Sequence, residues 1–380
     1  MSIPHSHRSL LSRLVALSLL ATCFLTACEE LEGKPDQTLQ MEIGVVQSLS
    51  GPASVYGNSV LQGIELAVEE INAADDGIDL TVTLIDDESK VDAGVAAFET
   101  LTARDLTAII GPTLSNVALE AMPKAQSAGV PVIGATTTAQ GIVENGDYVF
   151  RVALTEAVVV PATLARVHED VPITGAVLVF DSGDAFSRSS ADAMREGIAG
   201  IGATIVSEVD VATTDIASMF GDLHSKAFEA FLVTPLVEKS AVIVRALRAD
   251  GFTQAIIGGN SFNTPGIAAS AGTAVEGAYA GAAWNAGVDS TASEAFVKAF
   301  TRKYGSAPDQ FAAQGYSSVY LLFDAVQRAG SVDRAAVRDA LAATKDLSTP
   351  LGRLTMSPIR EAEHAPVAQR FENGKLVVLP

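Results

Sequence analysis

The sequence predicts an α/β protein with two doubly wound lobes, each built on a parallel sheet, and three observations lead to this expectation. The chain has 380 residues, which is enough for two domains. Apolar strands without polar alternation recur along it, and helical patterns separate them. Such strands lie in parallel sheets that helices cover on both faces. The alternation of strands and helices also starts again in the second half of the chain, so the two halves share one architecture.

The first series forms the first predicted lobe. Its elements are, in order, the strand MEIGVVQ, a helix from Asn58 to Asn72, the strand LTVTLID, a helix from Val91 to Arg104, the strand TAIIG, a helix from Ser115 to Ala128 and the strand VPVIG. Most of these strands are short and apolar, as expected of strands buried on both faces.

The second series follows YVFRVAL and forms the second predicted lobe. Its elements are, in order, a helix near Ala157 to His168, the strand GAVLVF, a helix from Ser187 to Ala199, the strand ATIVSEV, a helix after Thr214, the strand FEAFLVTP, a helix from Lys239 to Ala249 and the strand AIIGG. A third section adds EGAYAGAAW, helices from Ser293 to Tyr304, Ala312 to Ala329 and Asp333 to Ala343, and a β-rich tail. Asn373-Gly374 predicts a hairpin turn in that tail.

The first 28 residues are typical of an export signal. Two arginines precede the apolar run Leu14 to Leu25, which is too short to span a bilayer. The run ends in LTAC, which resembles the lipobox of bacterial lipoproteins and predicts that Cys28 carries the lipid. Residues 29–40 are then a flexible linker. The alternative is a plain secretory signal with an incidental cysteine.

Composition excludes several function classes. Cys23 would be removed with the signal and Cys28 would be lipidated, so the mature fold would have no thiol for a disulfide, a metal or a nucleophile. The formal charge of −20 opposes binding to nucleic acid. The motifs HExxH, GxSxG, GxxxxGK[ST] and GxGxxG are absent, so we expect no enzyme, no metal and no cofactor.

Two turns of the first predicted lobe carry candidate binding residues. Tyr56 lies in a turn between Gly51 and Gly57, where an exposed aromatic ring can cover the apolar part of a ligand. Its alternative role is packing on its own lobe. Ser115 stands where a helix begins, so it either caps that helix or helps the helix N-terminus to bind a carboxylate.

Two further turns follow buried strands. Thr136, Thr137 and Thr138 gather hydroxyl and backbone N–H groups that favour an anion site. Asp181 and Asp184 follow a strand of the second lobe. Either acid could meet a ligand cation, although solvated loop acids are the commoner case. Because open α/β sheets bind ligands beyond the carboxyl ends of their strands, we expect one enclosed site between the lobes.

The run SLSGPASVYGNSVLQGIELAVEEIN, followed by IIGPTLSNVALEAMPKAQSAGVPVIGATTT, YVFRVALTE and QGYSSVYLLFDAVQRAG, is similar to the periplasmic branched-chain amino-acid-binding proteins. These are type I solute-binding receptors of ABC importers. The resemblance runs from about Met41 to the C-terminus. It implies the type I periplasmic binding protein fold, with two lobes joined by three crossovers that close around a ligand.

The resemblance also implies domain bounds. The predicted crossovers are Val152 to Glu156, Ala280 to Asn285 and Pro350 to Thr355. The predicted segments are the signal 1–28, the linker 29–40, lobe 1 at 41–154 with 284–351, and lobe 2 at 155–283 with 352–380.

Four residues match positions that contact ligand in that family. Tyr56 matches an aromatic residue over the ligand. Ser115 matches the serine that holds the α-carboxylate, and Thr138 matches the threonine that binds carboxylate and amine. Thr137 falls on the preceding position, where a backbone group contacts the ligand.

The second lobe departs from the family pattern. Phe186 stands where a tyrosine is usual, and Leu236 falls where another tyrosine often lines the cleft. Asn260 replaces the acid that pairs with the ligand's ammonium group. An amide can accept one hydrogen bond but cannot neutralise a buried ammonium.

Two hypotheses about the ligand follow from Asn260. The ligand is a small carboxylate with an apolar or aromatic tail that lacks an α-amine. Alternatively, Glu156, Asp181 or Asp184 supplies the missing charge, and the ligand is an ordinary hydrophobic amino acid.

The resemblance implies a lipid-anchored periplasmic receptor that delivers an amino acid or related carboxylate to ABC permease subunits. We expect a monomer. Two alternatives remain at this stage: a ligand sensor or regulator on the same fold, and a lipoprotein that activates a cell-wall synthase and binds no solute.

Overall fold

The computed structural model describes residues 38–74, 76–218 and 220–380, and Gln40–Pro380 forms one compact unit. Strands and helices alternate along it. The strands are β1 Leu39–Gln47, β2 Ile78–Asp86, β3 Ala108–Ile110, β4 Val132–Gly134, β5 Val149–Arg151, β6 Gly175–Phe180, β7 Thr204–Asp210, β8 Ala230–Val233, β9 Ala255–Gly258, β10 Tyr279–Ala282, β11 Leu347–Thr349, β12 Gly352–Met356, β13 Ala362–Glu363, β14 Val367–Glu372 and β15 Lys375–Val378.

The α-helices lie between these strands and cover them. They are α1 Ser54–Ala74, α2 Val91–Thr102, α3 Ser115–Ser127, α4 Glu156–Asp170, α5 Ala185–Gly200, α6 Val237–Ala249, α7 Pro265–Ala271, α8 Thr291–Tyr304, α9 Gln310–Ala329 and α10 Arg334–Ala342. Short 3₁₀ turns occur at Val143–Asn145, Ile216–Ser218, Leu223–Ser225, Asn260–Phe262 and Gly272–Val275. Within the described residues, no helix is both long and apolar enough to cross a membrane.

The first lobe is built on a five-stranded sheet with the order β2-β1-β3-β4-β5. β1 pairs with β3, β3 with β4 and β4 with β5, all in parallel. Apolar side chains of α2 and α3, including Phe98 and Met122, pack with strand residues such as Ile109 in one buried cluster. This arrangement confirms the doubly wound parallel sheet that the strand pattern predicts.

Two glycines allow α1 and α9 to cross closely in the first lobe. A Cβ atom on Gly63 would lie 1.9 Å from the carbonyl oxygen of Ala312, and one on Gly315 would lie 2.3 Å from that of Val60. The backbones therefore touch where side chains would otherwise separate them. This contact positions the first turns of both helices, which carry Tyr56 and Phe311.

The second lobe is built on a seven-stranded sheet with the order β15-β14-β10-β9-β8-β6-β7. β6 to β10 pair in parallel, whereas β14 and β15 are antiparallel. The predicted turn at Asn373 and Gly374 joins β14 to β15, and both residues have positive φ, 53° and 72°, as a tight hairpin requires. The tail thus extends the parallel sheet at its edge as a hairpin.

Three segments connect the two large sheets. Residues 152–155 lead from β5 to α4, and residues 283–290, which include Trp284, lead from β10 to α8. The third connection passes through a small sheet of β11, β12 and β13 before the chain joins the large sheet at β14. The predicted crossover at 350–355 coincides with β12, so the return to the second lobe comes later in the chain. The predicted lobe bounds stay predictions.

Candidate functional site

A small cavity of about 30 Å³ lies where the carboxyl ends of strands from both large sheets meet. Its lining residues all follow strand ends or begin helices. They are Tyr56, Thr113, Leu114, Ser115, Thr136, Phe186, Leu236, Asn260, Ser261 and Phe311. Six candidates from the sequence therefore meet here, namely Tyr56, Ser115, Thr136, Phe186, Leu236 and Asn260. Thr137, Thr138, Glu156, Asp181 and Asp184 lie outside the lining.

Tyr56 joins the two lobes across this cavity. Helix α1 begins at Ser54, four residues before the predicted start, so Tyr56 lies in its first turn and not in a loop. The prediction of an exposed ring is wrong, because only 4% of the residue is exposed. Its hydroxyl accepts the backbone N–H of Val237 at 2.9 Å and donates to the carbonyl of Ser261 at 3.2 Å.

Burial determines the chemistry of that tyrosine. Desolvation raises the pKa of Tyr56 well above its ordinary value, so the hydroxyl is neutral and serves as donor and acceptor. Its ring packs edge to face on Phe311, with 4.8 Å between the ring centroids.

Ser115 is the first residue of α3 and not its cap. The N-cap position is Leu114, which cannot accept a hydrogen bond through its side chain, so the first turn of α3 has no side-chain cap. The hydroxyl of Ser115 accepts only a long hydrogen bond, 3.4 Å, from the N–H of Ala139. An uncapped helix N-terminus and a weakly engaged hydroxyl thus stand together at the cavity wall.

In the threonine turn, Thr136 lines the cavity, whereas Thr137 and Thr138 do not. The hydroxyls of Thr137 and Thr138 are buried and have no hydrogen-bond partner among the described residues. The Thr137 hydroxyl lies 2.4 Å from where a Cβ atom on Gly134 would stand, so it points into the first lobe. Buried Arg151 holds the turn by donating to the carbonyls of Ala139, at 2.6 Å, and Thr137, at 3.4 Å, and it pairs with Glu361.

The second lobe contributes an apolar wall and one polar segment. Phe186, in the first turn of α5, and Leu236, just before α6, line the cavity. Ser261 also lines it, and its buried hydroxyl has no partner within the residues described. That wall can therefore hold an apolar group and offer one hydroxyl.

Glu156 lies directly behind Asn260. One carboxylate oxygen of Glu156 accepts the backbone N–H of Asn260 at 3.1 Å and its side-chain N–H at 2.7 Å, and the other oxygen accepts the hydroxyl of Ser190 at 3.2 Å. Burial raises the pKa of Glu156, and these hydrogen bonds oppose that increase. Asn260 in turn accepts the side-chain N–H of Gln310, at 3.0 Å.

The other two candidate acids have structural partners. Asp181 pairs with Lys239. Asp184 caps α5 by accepting the N–H of Ser187 at 2.8 Å, and it accepts the side-chain N–H of Asn116 at 3.0 Å. Desolvation raises the pKa of Asp184. Neither acid lines the cavity.

The sequence predictions missed four lining residues. They are Thr113, Leu114, Ser261 and Phe311. Ser261 adjoins Asn260, and Thr113 precedes Ser115 by two residues, so extending each predicted turn by two residues would have included them. Phe311 has no such signal, because an aromatic residue near a helix start is equally typical of the core. Among the described residues, no cluster of acids and histidines has a metal-binding arrangement. Cys28, the predicted lipidation site, lies outside the described residues.

Comparison with known proteins extends these observations. A family model described as periplasmic binding protein matches residues 40–371. The Leu/Ile/Val-binding protein homolog 3 of Brucella melitensis is 26% identical over 344 residues, which cover 89% of this chain and 93% of the relative.

Solved structures show the same fold. The branched-chain amino acid transporter substrate binding protein LivJ from Streptococcus pneumoniae, in complex with isoleucine, is 26% identical with a TM-score of 0.83, covering 90% of this chain and 99% of that chain. A solute binding protein of an ABC transporter from R. palustris, in complex with benzoate, is 22% identical with a TM-score of 0.80, covering 90% and 95%.

These matches confirm the resemblance that the sequence motifs indicate and the predicted fold class. The matched proteins are binding proteins by name, which confirms the prediction that the chain is not an enzyme. The chain belongs to the periplasmic binding protein family and has its type I fold.

Proposed function

We propose that this chain is an exported, lipid-anchored receptor that binds an amino acid or a related small carboxylate between its lobes and delivers it to an ABC permease. Its matched relatives include a Leu/Ile/Val-binding protein homolog and solute-binding proteins in complex with isoleucine and benzoate. Both of these ligands carry a carboxylate and an apolar body. The cavity offers groups suited to both parts.

One observation carries the proposal: the uncapped N-terminus of α3, the weakly engaged hydroxyl of Ser115 and the Ser261 hydroxyl, which has no partner among the described residues, border one cavity. Backbone N–H groups and the positive end of the helix dipole favour an anion. Ser115 and Ser261 add hydroxyl donors from opposite lobes. A carboxylate held between them would satisfy groups that are otherwise buried without partners.

The cavity must enlarge to hold such a ligand. Its volume of about 30 Å³ accommodates about one water molecule. Because the Tyr56 hydroxyl spans the lobes, separation of the lobes would break its hydrogen bonds to Val237 and Ser261 and widen the space. A ligand would then replace these contacts on closure, as in a hinged receptor.

The small volume also favours a second candidate function. A site that the protein's own side chains fill fits a lipoprotein that presses on a protein partner, such as a cell-wall synthase, and binds no solute. The unpartnered Ser261 hydroxyl at the cavity wall supports the receptor instead. Ligand binding decides between the two functions.

The test is thermal unfolding of purified protein with L-leucine, its keto-acid analogue α-ketoisocaproate, benzoate, and isoamylamine, which lacks a carboxylate. A ligand that binds only the native state raises the midpoint. We expect stabilisation by at least one carboxylate and none by isoamylamine. If none of the carboxylates raises the midpoint, the receptor proposal fails and the second candidate gains support.

A matched pair of variants tests the anion site. Ser115→Ala removes a hydrogen bond to a charged group and should weaken carboxylate binding by about 1.5–3 kcal/mol. Thr138→Ala is expected to have a similar effect, because the enlarged cavity would reach its buried hydroxyl, which has no partner among the described residues. Ser127→Ala, at the exposed end of the same helix, should leave affinity unchanged. Unchanged affinity in both site variants would place the ligand elsewhere.

The anchor is tested separately. In cells, Cys28→Ser should move the protein from the membrane fraction to the soluble extracytoplasmic fraction. Wild-type protein found in the soluble extracytoplasmic fraction would contradict lipidation at Cys28.

A further inference from the structure

We infer that the cavity selects small carboxylates without an ammonium group, because Asn260 separates the nearest acid, Glu156, from the ligand. This inference rests on the proposed function and specifies its ligand class. Among the cavity-lining residues that the structure describes, none carries a charge. An anionic partner for an ammonium group would therefore have to come from an acid outside the lining, and Glu156 is the nearest.

The carboxylate of Glu156 is fully engaged inside the second lobe. It accepts two N–H groups of Asn260 and the hydroxyl of Ser190. A Cβ atom on Gly259 would lie 2.3 Å from its Oε2, so only glycine at that position lets the carboxylate pack there. The carboxylate of Glu156 thus packs against the turn at Gly259 and Asn260, and Asn260 lies between it and the cavity.

The orientation of the Asn260 amide follows from a backbone group. The N–H of Ala283 donates to Oε1 of Gln310 at 2.5 Å, so Gln310 presents its Nε2 donor to Asn260. Asn260 must therefore accept this hydrogen bond through its Oδ1, which directs its Nδ2 donor at Glu156, 2.7 Å away. Each donor meets an acceptor from Ala283 through Gln310 and Asn260 to Glu156. Reversing the Asn260 amide would place two donors together at Gln310 and two acceptors together at Glu156.

The carboxylate of Glu156 also favours an uncharged residue at position 260. An acid at position 260 would set two carboxylates within hydrogen-bond distance of each other, and both could not ionise. Only one residue of the pair can therefore be an acid. That residue is Glu156, which does not line the cavity. Asp181 and Asp184 pair with Lys239 and Asn116 and do not compensate for this position.

An ammonium group in this cavity would lose its hydration without gaining an anionic partner. A buried unpaired charge is strongly unfavourable, so an amino acid should bind at least about a hundredfold more weakly than its deaminated analogue. The lining supplies apolar surface for the rest of the ligand through Phe186, Leu236 and Phe311. The ligand class is a small carboxylate with a branched aliphatic or aromatic tail.

The experiment compares L-leucine, α-ketoisocaproate and benzoate by calorimetry on the wild type and on variants that relocate the charge. Glu156→Gln combined with Asn260→Asp exchanges the acid and the amide. The new amide can donate to the new carboxylate, at the expense of the hydrogen bond from the backbone N–H of residue 260. The exchange places the carboxylate at the cavity wall. Glu156→Gln alone is the control that removes the acid without exposing another.

We expect the wild type to bind α-ketoisocaproate or benzoate at least about a hundredfold more tightly than leucine. The single variant should keep this preference, and the double variant should reverse it in favour of leucine. Wild-type protein that prefers leucine, with a loss of leucine binding in Glu156→Gln, would overturn the inference and leave the proposed receptor function intact.

Absence of binding by all three probes to the wild type would overturn both the inference and the proposed function. If the double variant does not fold, the wild-type preference between leucine and α-ketoisocaproate decides alone.

Discussion

Replacement of Gly63 by alanine should destabilise the protein by separating α1 from α9. The new Cβ atom would lie 1.9 Å from the carbonyl oxygen of Ala312, and ordinary contact begins at 3.4 Å. The obstacle is backbone, so no side chain can rotate away, and the two helices must move apart by about 1.5 Å at this point.

The magnitude is the difference between two effects. Overpacking of this kind costs about 1–3 kcal/mol, and rigid backbone places Gly63→Ala near the upper end. Replacement of glycine by alanine inside a helix contributes about 1 kcal/mol in the opposite direction. We therefore expect the free energy of unfolding to decrease by about 2 kcal/mol.

Gly200→Ala is the matched control. Gly200 ends α5, and a Cβ atom there would meet no atom within 4 Å, so this variant should be neutral or slightly more stable. Urea unfolding followed by circular dichroism measures both variants against the wild type. A Gly63→Ala midpoint equal to or above that of Gly200→Ala would refute the close helix crossing.

Three further predictions follow from buried polar groups. Tyr56→Phe leaves two backbone groups of the opposite lobe without a partner and should lower the free energy of unfolding by about 1–3 kcal/mol, measured by urea unfolding. Glu361→Gln should cost about 3 kcal/mol in the same assay because Arg151 would be a buried, uncompensated cation, whereas Asp346→Asn on the surface should change little. Burial raises the pKa of Asp309 from 3.8 to about 6, so the native state binds this proton more tightly and stability should fall as pH rises from about 4 to about 6. Asp309→Asn should remove that part of the pH dependence when unfolding is measured across this range.

Much of the architecture is predictable because local pattern and tertiary structure agree. The strands AII and GAVLVF are apolar throughout, and both become interior strands that pair in parallel on each side. The turn at Asn373 and Gly374 is equally direct, since few other residues adopt positive φ at both central positions. These features depend on a few neighbouring residues.

The predictions that fail concern contacts between residues far apart in the chain and the exact residue at which a helix begins. Tyr56 is buried because Val237 and Ser261, about two hundred residues away in sequence, supply its hydrogen-bond partners. Ser115 looks like a helix cap, but the helix begins one residue earlier than a cap would require. The partnership of Glu156 with Asn260 depends on a turn from another strand, so no local pattern could indicate it.

The connection at residues 283–290 gives the protein its own optical probe. Trp284 is the only tryptophan of the chain, it is buried in this connection, and its indole N–H donates to the hydroxyl of Ser293 at 3.0 Å. Tryptophan emission responds to the polarity around the ring, and here it arises from a single segment that joins both lobes. A change in its wavelength or intensity on addition of a solute would follow the hinge in real time, without labels or engineered residues.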